Sequence, residues 1–562
     1  MTSVGIEELF AAPYAWFAAP APTLGLALAR VALGSVLAFD GLRMLRDHAL
    51  WYADDALRPR ATRRLPAWLD AFAWAGRLGL PARVVPLAQV VAALAFAAGL
   101  GTTAAGLALL LVCIAIPARN LFIVYGGDAF ARTILLLLLC SPCAAALSAD
   151  RWLHDGTLGL DAQAPLWGGR LIAVEVALLY LHNFLCKWPL PAWRDGTYMF
   201  ALLRNKNFAR TDVPAPLRTA AAGRVMTHGA LLVELLLAPA LLFPATAGPA
   251  CVVAIGFHLA IARTVDVHLF SYIMIAALLA CLPRGAIAGL VGGDMPVLPA
   301  AAAGWADIVA LCAAAIYVIV AIAWDPPRPG WCSRQVQRAL GPAFAAIHWV
   351  RSWRLFVDSS ATHIELEFTA VLATGELLRW TWDRALQLVP GLLPRPVRPG
   401  HRFQRFLFAV VTRTEARDIL VARLRAALAA AGLQVRALSV DAVYEDVHSL
   451  AVLGGKNLHT EVAASRADGF NYFACVRLIR GVRCEPTRAR LLELLLLAGL
   501  DAAVRGRPRE GLAAALDALA EDLRLDPANA ARFREGCARV PEPAERAKFL
   551  GALDRLVNHA NV

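Results

Sequence analysis

Nine apolar runs fill the first 325 residues of the chain. A run of about 20 apolar residues can cross a bilayer as a helix, because a helix satisfies its own backbone hydrogen bonds. Apolar residues make up 59% of the chain and the mean hydropathy is +0.56, whereas soluble domains hold about 45–50% apolar residues. We therefore predict a mainly α protein, a polytopic helical membrane bundle of about eight or nine spans in contact with the lipid bilayer. The runs lie at 23–45, 84–100, 104–118, 129–147, 169–187, 225–243, 249–264, 267–283 and 302–324.

The start of the chain does not read as a cleavable signal peptide. Glu7 and Glu8 are acidic, and no basic n-region precedes the first apolar run. We expect the mature chain to begin near Met1.

The composition changes after Pro326, where charged residues return at short intervals. Alternating apolar residues at 363–372 and 405–411 predict strands, 415–432 predicts a helix, and 434–447 is strand-like. The predicted organisation is a transmembrane domain at 1–325, a C-terminal soluble α+β region at 326–450, and a mostly helical region of unknown role at 451–562.

The chain has a formal net charge of +12, and the basic residues of its membrane part cluster in two loops, at 46–83 and 194–224. The positive-inside rule places such loops, and a tail that follows an odd number of spans, in the cytoplasm. Alternatively, the positive charge attracts an acidic partner, such as a glutamate-containing peptide or anionic lipid headgroups. Nucleic acid is not an expected partner, since the arginines follow no nucleic-acid-binding motif.

The eleven cysteines are scattered, and none stands in a paired spacing with histidines. The sequence therefore predicts neither a metal site nor a disulfide framework. Cys140 and Cys143 form a C-x-x-C, but Ser141 and Pro142 lie between them inside an apolar run, so packing is favoured over redox chemistry.

Lys187 ends an apolar run, 169-GRLIAVEVALLYLHNFLCK-187, and only four of the 55 basic residues are lysines. A lysine held away from water can lose its proton and act as a base or nucleophile, whereas an arginine cannot. The simpler interpretation is a lysine that snorkels to the membrane interface. Position alone leaves both interpretations open.

Polar side chains inside the predicted spans indicate an internal polar chamber, because each would be costly in contact with lipid. Glu175 and His182 are seven residues apart, and Asn183 and Lys187 four apart, so one helix can present all four towards the same interior. Hydrogen bonding between helices is the alternative for Glu175 and Asn183. The polar residues of the runs are Arg30, Asp40, Asn120, Asp128, Arg132, Glu175, His182, Asn183, Lys187, His228, Glu234, His258, Arg263, Asp266 and His268.

The run 165-PLWGGRLIAVEVALLYLHNFLCKWPLPAWRDGTYM-199 resembles vitamin K-dependent γ-glutamyl carboxylases, in which Pro-Leu-Trp opens a helix, a lysine ends it and Trp-x-x-Gly follows. Blocks at 227–243, at 257–276 and at 352–357 with 374–377 follow in the same order. The resemblance covers about residues 20–385, that is, the horizontally transferred transmembrane (HTTM) module and the start of the soluble part.

The resemblance implies a carboxylase-like membrane enzyme. Its cofactor would be reduced vitamin K or menaquinol, its co-substrates O2 and CO2, and it would hold no metal. Lys187 is then the catalytic base that deprotonates the quinol, and the strong base formed after oxygen adds removes a γ-proton from a glutamate side chain before CO2 adds. The resemblance and the polar positions together assign a quinone-binding or polar chamber to Asn120, His182, Trp193, His228 and His258.

The chain departs from the family at two positions. Leu121 follows Asn120 where the family has an Asn-His pair, and Asp358 stands where the family has a histidine associated with the substrate glutamate. An aspartate repels a glutamate carboxylate unless it is protonated. Carboxylation of the same substrates is therefore an open question.

Arg351, Trp353 and Arg354 are the candidate substrate-binding residues. Two guanidinium groups close together in sequence can bind a carboxylate through paired hydrogen bonds. They offer an alternative to the missing histidine.

Two other functions remain open. The chain can be an HTTM protein without carboxylase activity, serving the binding, maturation or transport of a lipid-like or peptide ligand, and the loss of the Asn-His pair favours this alternative. A transporter is a third possibility, since polar residues in spans also mark substrate paths. The expected location in all three cases is a bacterial inner membrane, as a multi-pass integral protein.

Overall fold

The structure is a computed structural model, and it describes residues 16–59, 65–66, 69–210, 213–293, 295–298, 305–326, 328–346, 356, 362–372, 377–381, 401–447 and 452–462. The chain divides into two compact units. The membrane unit comprises Met1–Leu203, Phe208–Ser359 and Gly400–Phe406, and the second unit comprises Arg204–Asn207, Ser360–Pro399 and Leu407–Val562.

The membrane unit is built from helices, with one short antiparallel strand pair, β1 (Pro20–Pro22) and β2 (Gln163–Pro165). A 3-10 helix covers Ala215–Arg218. The α-helices are α1 Leu24–Arg46, α2 His48–Trp51, α3 Ala71–Arg77, α4 Val84–Ala98, α5 Thr102–Arg119, α6 Gly126–Leu139, α7 Ala149–Asp155, α8 Trp167–Lys187, α9 Pro191–Arg194, α10 Tyr198–Leu202, α11 Ala220–Ala240, α12 Pro244–Thr264, α13 Phe270–Ala280, α14 Arg284–Val291, α15 Trp305–Trp324 and α16 Trp331–Ala346.

Five helices of the described part, α1, α5, α8, α11 and α12, are long and apolar enough to cross a membrane. The pair α13 and α14 makes a sixth candidate if it counts as one span, although its two halves are bent by 89°. The protein is thus an integral membrane protein, and the predicted count of eight or nine spans is not confirmed.

Two of the predicted runs are cut short by turns. The run at 129–147 leaves its helix after Leu139, and Ser141 and Pro142 lie in the turn that follows. The run at 267–283 bends before Pro283, which flanks α14 at its N-terminal end. A proline cannot donate a backbone hydrogen bond, so these positions favour a turn over a continued helix.

The strand pair fixes the direction of two spans. β1 immediately precedes α1 and β2 immediately precedes α8, so both helices begin at the same membrane face. Both are long and apolar enough to cross a bilayer, and as spans they end together at the opposite face, at Arg46 and at Lys187. The basic loops that follow, at 46–83 and 194–224, therefore share the face of the membrane to which Lys187 belongs.

Glycines allow α1 to pack closely on α4. A Cβ at Gly34 would lie 2.8 Å from the Ala93 carbonyl oxygen, and one at Gly41 would lie 2.8 Å from Val90 Cγ2. The two glycines are seven residues apart and so share one face of α1. Small residues of this kind permit close helix approach in membranes, where apolar surface alone does not drive association.

The second unit contains a four-stranded antiparallel sheet in the order β4–β3–β5–β6. Its strands are β3 Thr362–Leu372, β4 Leu377–Thr381, β5 Val435–Asp446 and β6 Val452–Val462. The strands expected at 363–372 and 434–447 are confirmed, as is the helix at 415–432, which forms α18 (Thr414–Ala430).

The strand expected at 405–411 is wrong, because these residues belong to helix α17 (His401–Thr412), within which the two units meet in sequence. Phe403, Phe406, Leu407 and Val410 are buried, and their spacing of three, four and seven residues is that of a helix face. The region 451–562, expected to be mostly helical, begins with strand β6, and its residues 463–562 lie outside the described residues.

Candidate functional site

Lys187 is the last residue of α8 and is only 4% exposed. Its Nζ lies 2.5 Å from Oε1 of Glu234, which is 5% exposed and belongs to α11. An amine that snorkelled to the interface would be in water. The structure instead buries this amine against a carboxylate of a neighbouring span.

Trp193 covers the other side of the lysine. The Lys187 Nζ lies 4.8 Å from the centroid of the Trp193 ring, which is the geometry of a cation–π contact. The indole is held by stacking on Tyr198, with ring centroids 4.3 Å apart, and by a hydrogen bond from its Nε1 to the Phe356 carbonyl oxygen at 3.1 Å. The short helix α9, with Pro191 in its first turn, brings the tryptophan back beneath the end of α8.

A tyrosine and a histidine form a second contact beside this pair. The Tyr180 hydroxyl and His258 Nε2 are 2.8 Å apart, and both side chains are almost fully buried. Tyr180 precedes Lys187 by two helical turns and so lies on the same face of α8. His258 comes from α12, and its ring packs edge-on against Phe270. We call Tyr180, Lys187, Trp193, Glu234 and His258 the Lys187 cluster.

Two polar atoms of the Lys187 cluster are buried without a hydrogen-bond partner among the described residues. They are Glu234 Oε2 and His258 Nδ1. Leaving a buried polar group unpaired costs about 1–3 kcal/mol, so such atoms usually have a ligand, an ion or water to bind. One carboxylate oxygen and one imidazole nitrogen of the cluster thus keep their hydrogen-bonding capacity.

The other polar residues of α8 have contacts of their own. Glu175 accepts a hydrogen bond from the Tyr317 hydroxyl of α15 at 2.7 Å. Asn183 donates to the Leu179 carbonyl oxygen within α8. His182 is half-buried, with its Nε2 3.3 Å from Cys186 Sγ. The helix thus divides its polar residues between faces, since His182 and Lys187 are five residues apart.

Asn120 has a role in holding the backbone. Its buried Nδ2 donates to the carbonyl oxygens of Trp51 and Leu57, at 2.9 and 3.0 Å, and its Oδ1 accepts from the Phe122 amide at 3.1 Å. His228 is exposed, and its ring lies beside Gly196. The structure therefore brings Lys187, Trp193 and His258 together. Asn120 binds backbone groups near Trp51, and His228 lies exposed beside Gly196, outside the cluster.

The predicted substrate-binding residues Arg351, Trp353 and Arg354 lie outside the described residues, as does Asp358. Their arrangement relative to Lys187 stays a prediction.

A second polar cluster lies in the membrane unit around Asp40 of α1. Arg402 donates to both carboxylate oxygens of Asp40, at 3.0 and 3.1 Å, and His268 Nε2 lies 3.4 Å from Oδ1. The His268 ring stacks on Tyr125, with centroids 5.1 Å apart. Neighbouring His401 has its Nδ1 3.0 Å from the Asp266 carbonyl oxygen, and burial lowers the pKa of this histidine to about 3. His401 is therefore neutral at physiological pH.

Sequence reasoning missed Glu234, Tyr180 and Arg402 as site residues. The pairing of Glu234 could have been predicted, because a carboxylate within an apolar run needs a partner and Lys187 is the lysine of the predicted spans. Tyr180 carries no such signal, since a tyrosine in a span is ordinary. Arg402 belongs to a segment expected to be soluble, which hid its contact with Asp40.

The described residues contain no group of three or more His, Cys, Asp or Glu side chains that could hold a metal ion. The chemistry of the Lys187 cluster is that of acid and base groups and of an aromatic wall.

Comparison with known proteins identifies one domain. No curated protein and no solved structure is significantly similar to the chain. Residues 130–284 match the HTTM domain. This range is shorter than the stretch over which the sequence resembles the carboxylases, and it contains all five residues of the Lys187 cluster. The chain therefore contains an HTTM domain, at residues 130–284.

Proposed function

We propose that the protein is a membrane enzyme of the carboxylase type, which couples the oxidation of a reduced naphthoquinone by O2 to the γ-carboxylation of glutamate side chains. The observation that carries the proposal is the buried Lys187 amine, paired with Glu234 inside the HTTM domain. A base in a water-excluded site protects a reactive carbanion from being quenched by a solvent proton.

The residues of the Lys187 cluster fit a hydroquinone. Such a molecule carries two hydroxyl groups on a flat apolar ring, and the cluster offers two unpartnered buried atoms, Glu234 Oε2 and His258 Nδ1, beside the aromatic faces of Trp193 and Tyr180. When bound, the quinol and O2 would supply the oxidation and the strong base. The protein would bind the ring, hold the hydroxyl proton near Lys187 and exclude water.

The acidic substrate is expected to approach from the membrane face at which α8 ends. Arg194 and Arg224 are exposed at this face, and both lie near Gly196, the residue at the end of the Trp-x-x-Gly turn. Positive potential at the mouth of a site raises the local concentration of a carboxylate-rich ligand. We also propose that the membrane is a bacterial inner membrane.

A second candidate function is that of an HTTM protein that binds a lipid-like or peptide ligand without carboxylating it. Leu121 favours this candidate, because it replaces the histidine that follows the asparagine in the carboxylases.

One experiment separates the two functions. The purified protein in lipid nanodiscs is incubated with menaquinol, O2, labelled bicarbonate and glutamate-containing peptides, and Lys187→Met is the matched control. Label in γ-carboxyglutamate that depends on Lys187 supports carboxylation. Menaquinol binding without label supports the second function, and the absence of both contradicts the enzymatic proposal.

A further inference from the structure

The Lys187 and Glu234 side chains act chemically as a pair. Their contact of 2.5 Å joins an amine at the end of α8 to a carboxyl group within α11, and the two side chains are 4% and 7% exposed. Burying two separate charges is costly, so the proton between them is shared by a unit whose total charge is zero in either arrangement. The pair holds either an ammonium beside a carboxylate or an amine beside a carboxylic acid.

Lys187 alone cannot explain base chemistry in this arrangement. As an ammonium, its nitrogen has no lone pair with which to accept a proton. As an amine, it has a lone pair only because its own proton has moved to Glu234. In both cases the second proton-binding position of the site is a carboxylate oxygen of Glu234.

The geometry identifies that oxygen. Oε1 is occupied by the Lys187 contact, whereas Oε2 is buried and has no hydrogen-bond partner in the part of the chain that the structure describes. His258 Nδ1 is the other atom of the cluster without a partner among the described residues, while the Nε2 of His258 lies 2.8 Å from the Tyr180 hydroxyl. A hydroxyl group placed between the amine and Oε2 could give its proton to the pair without leaving an unpaired charge.

We propose that Glu234 is the proton acceptor of this site and that Lys187 holds the positive charge that stabilises the deprotonated hydroxyl oxygen. The hydroxyl O–H bond breaks, its electron pair stays on the oxygen, and the proton comes to rest on a carboxylate oxygen of Glu234. If the pair begins as amine and acid, the proton goes to Lys187, and the end state is the same. The net reaction is one proton transfer, and no oxidant takes part in it. This inference rests on the proposed function for the identity of the hydroxyl compound.

The direct test is infrared difference spectroscopy on the full chain in nanodiscs. A naphthohydroquinone is added in the absence of O2, and binding is followed in the same sample by tryptophan fluorescence. We expect the hydroquinone-bound protein to show the C=O stretching band of a protonated carboxyl group, whichever arrangement the pair has before binding. The band should shift when glutamate is isotope-labelled and should be absent from Glu234→Gln.

The outcomes separate the two proposals. Binding without a carboxyl band, or a band that persists in Glu234→Gln, overturns the role of Glu234 and leaves the proposed function standing. Failure of the hydroquinone to bind the wild-type protein overturns both.

A kinetic measurement guards against a variant that misfolds. General acid–base groups contribute about 10²–10⁴-fold to rates, so Glu234→Gln should lower kcat for oxygen-dependent quinol oxidation at least about a hundredfold while KM changes little. Glu234→Asp should recover part of the loss, because it keeps the carboxylate.

Glu175→Gln is the matched control for this measurement. Glu175 is also a buried carboxylate of a span, it accepts a hydrogen bond from Tyr317 of α15, and its substitution should leave the rate unchanged. Equal rates for Glu234→Gln and Glu175→Gln would overturn the proposal.

Discussion

The Nζ of Lys187 lies 2.5 Å from Oε1 of Glu234, and the two residues belong to neighbouring spans, α8 and α11. A lysine that only reached for the membrane interface would need no buried carboxylate. The pairing instead fixes the amine inside the HTTM domain, where Trp193 covers it. The packing of the two spans thus holds the amine where the proposed proton transfer needs it.

The first prediction concerns the stability of this pair. Glu234→Leu leaves the Lys187 nitrogen buried without its partner, and breaking a buried ion pair in this way costs about 3–5 kcal/mol. The double variant Lys187→Met with Glu234→Leu replaces both groups by apolar ones and should recover most of the loss. The free energy of unfolding in mixed detergent micelles measures both effects. A double variant no more stable than Glu234→Leu would show that the two side chains are not coupled.

The second prediction compares two histidines that the sequence ranked alike. His258 is buried with Tyr180 and has an open Nδ1, whereas His228 is exposed. His258→Phe should weaken naphthohydroquinone binding about tenfold, the equivalent of one hydrogen bond of about 1.4 kcal/mol. His228→Phe should leave the Kd unchanged. Titrations followed by tryptophan fluorescence measure the Kd of each variant for naphthohydroquinone. Equal Kd values for the two variants would contradict the proposal that the hydroquinone binds beside His258.

The third prediction assigns Asn120 to stability. Asn120→Leu deprives the buried carbonyl oxygens of Trp51 and Leu57 of their donor, at about 1–3 kcal/mol for each group left unpaired. The thermal unfolding midpoint should fall, while hydroquinone binding by the folded fraction should keep its wild-type Kd. An unchanged midpoint with lost binding would place Asn120 in the quinone site instead.

The sequence predicted the helical membrane part and the strands at 363–372 and 434–447, because each has a strong period of its own. It could not predict where the apolar runs would turn, so the expected count of eight or nine spans stays unconfirmed beside the five or six candidate spans of the described residues. The resemblance to the carboxylases pointed to Lys187, Trp193 and His258, which the structure brings into one cluster.

The rest of the site depends on pairing between elements far apart in sequence. Glu234 is 47 residues from Lys187, and Tyr180 is 78 residues from His258. Asn120 looked like a chamber residue because it is polar within an apolar region, but its hydrogen bonds go to backbone groups of the segment near Trp51. A polar side chain in a span can bond either to other side chains of a site or to backbone groups of a neighbouring segment. Helical spacing alone does not predict which of the two it does.

The fourth prediction concerns pH and the second unit. His363 of β3 is buried, and burial together with the charge of Lys206 lowers its pKa from the usual 6.5 to about 4. Because the unfolded chain binds a proton near pH 6.5 and the folded chain does not, the stability is complete above pH 6.5 and is lost as the pH falls towards 4. The slope should reach about 1.4 kcal/mol per pH unit.

Hydrogen-exchange protection of β3 and β5 as a function of pH measures this dependence, and nuclear magnetic resonance of labelled histidine reports the protonation state of the ring. His363→Leu should flatten the dependence between pH 6.5 and 4. A ring that titrates near 6.5 in the folded protein would contradict the prediction.

The most direct test of the account is the oxygen-dependent oxidation of menaquinol by purified protein carrying Lys187→Arg. Arginine keeps the positive charge, but its guanidinium stays protonated and pairs with a carboxylate through both oxygens, so it would occupy Oε2 of Glu234, the oxygen proposed to accept the proton. We expect oxidation to be abolished in Lys187→Arg as it is in Lys187→Ala, while His228→Phe oxidises menaquinol at the wild-type rate. Oxidation that persists in Lys187→Arg or Lys187→Ala would contradict the central claim that this amine takes part in proton transfer.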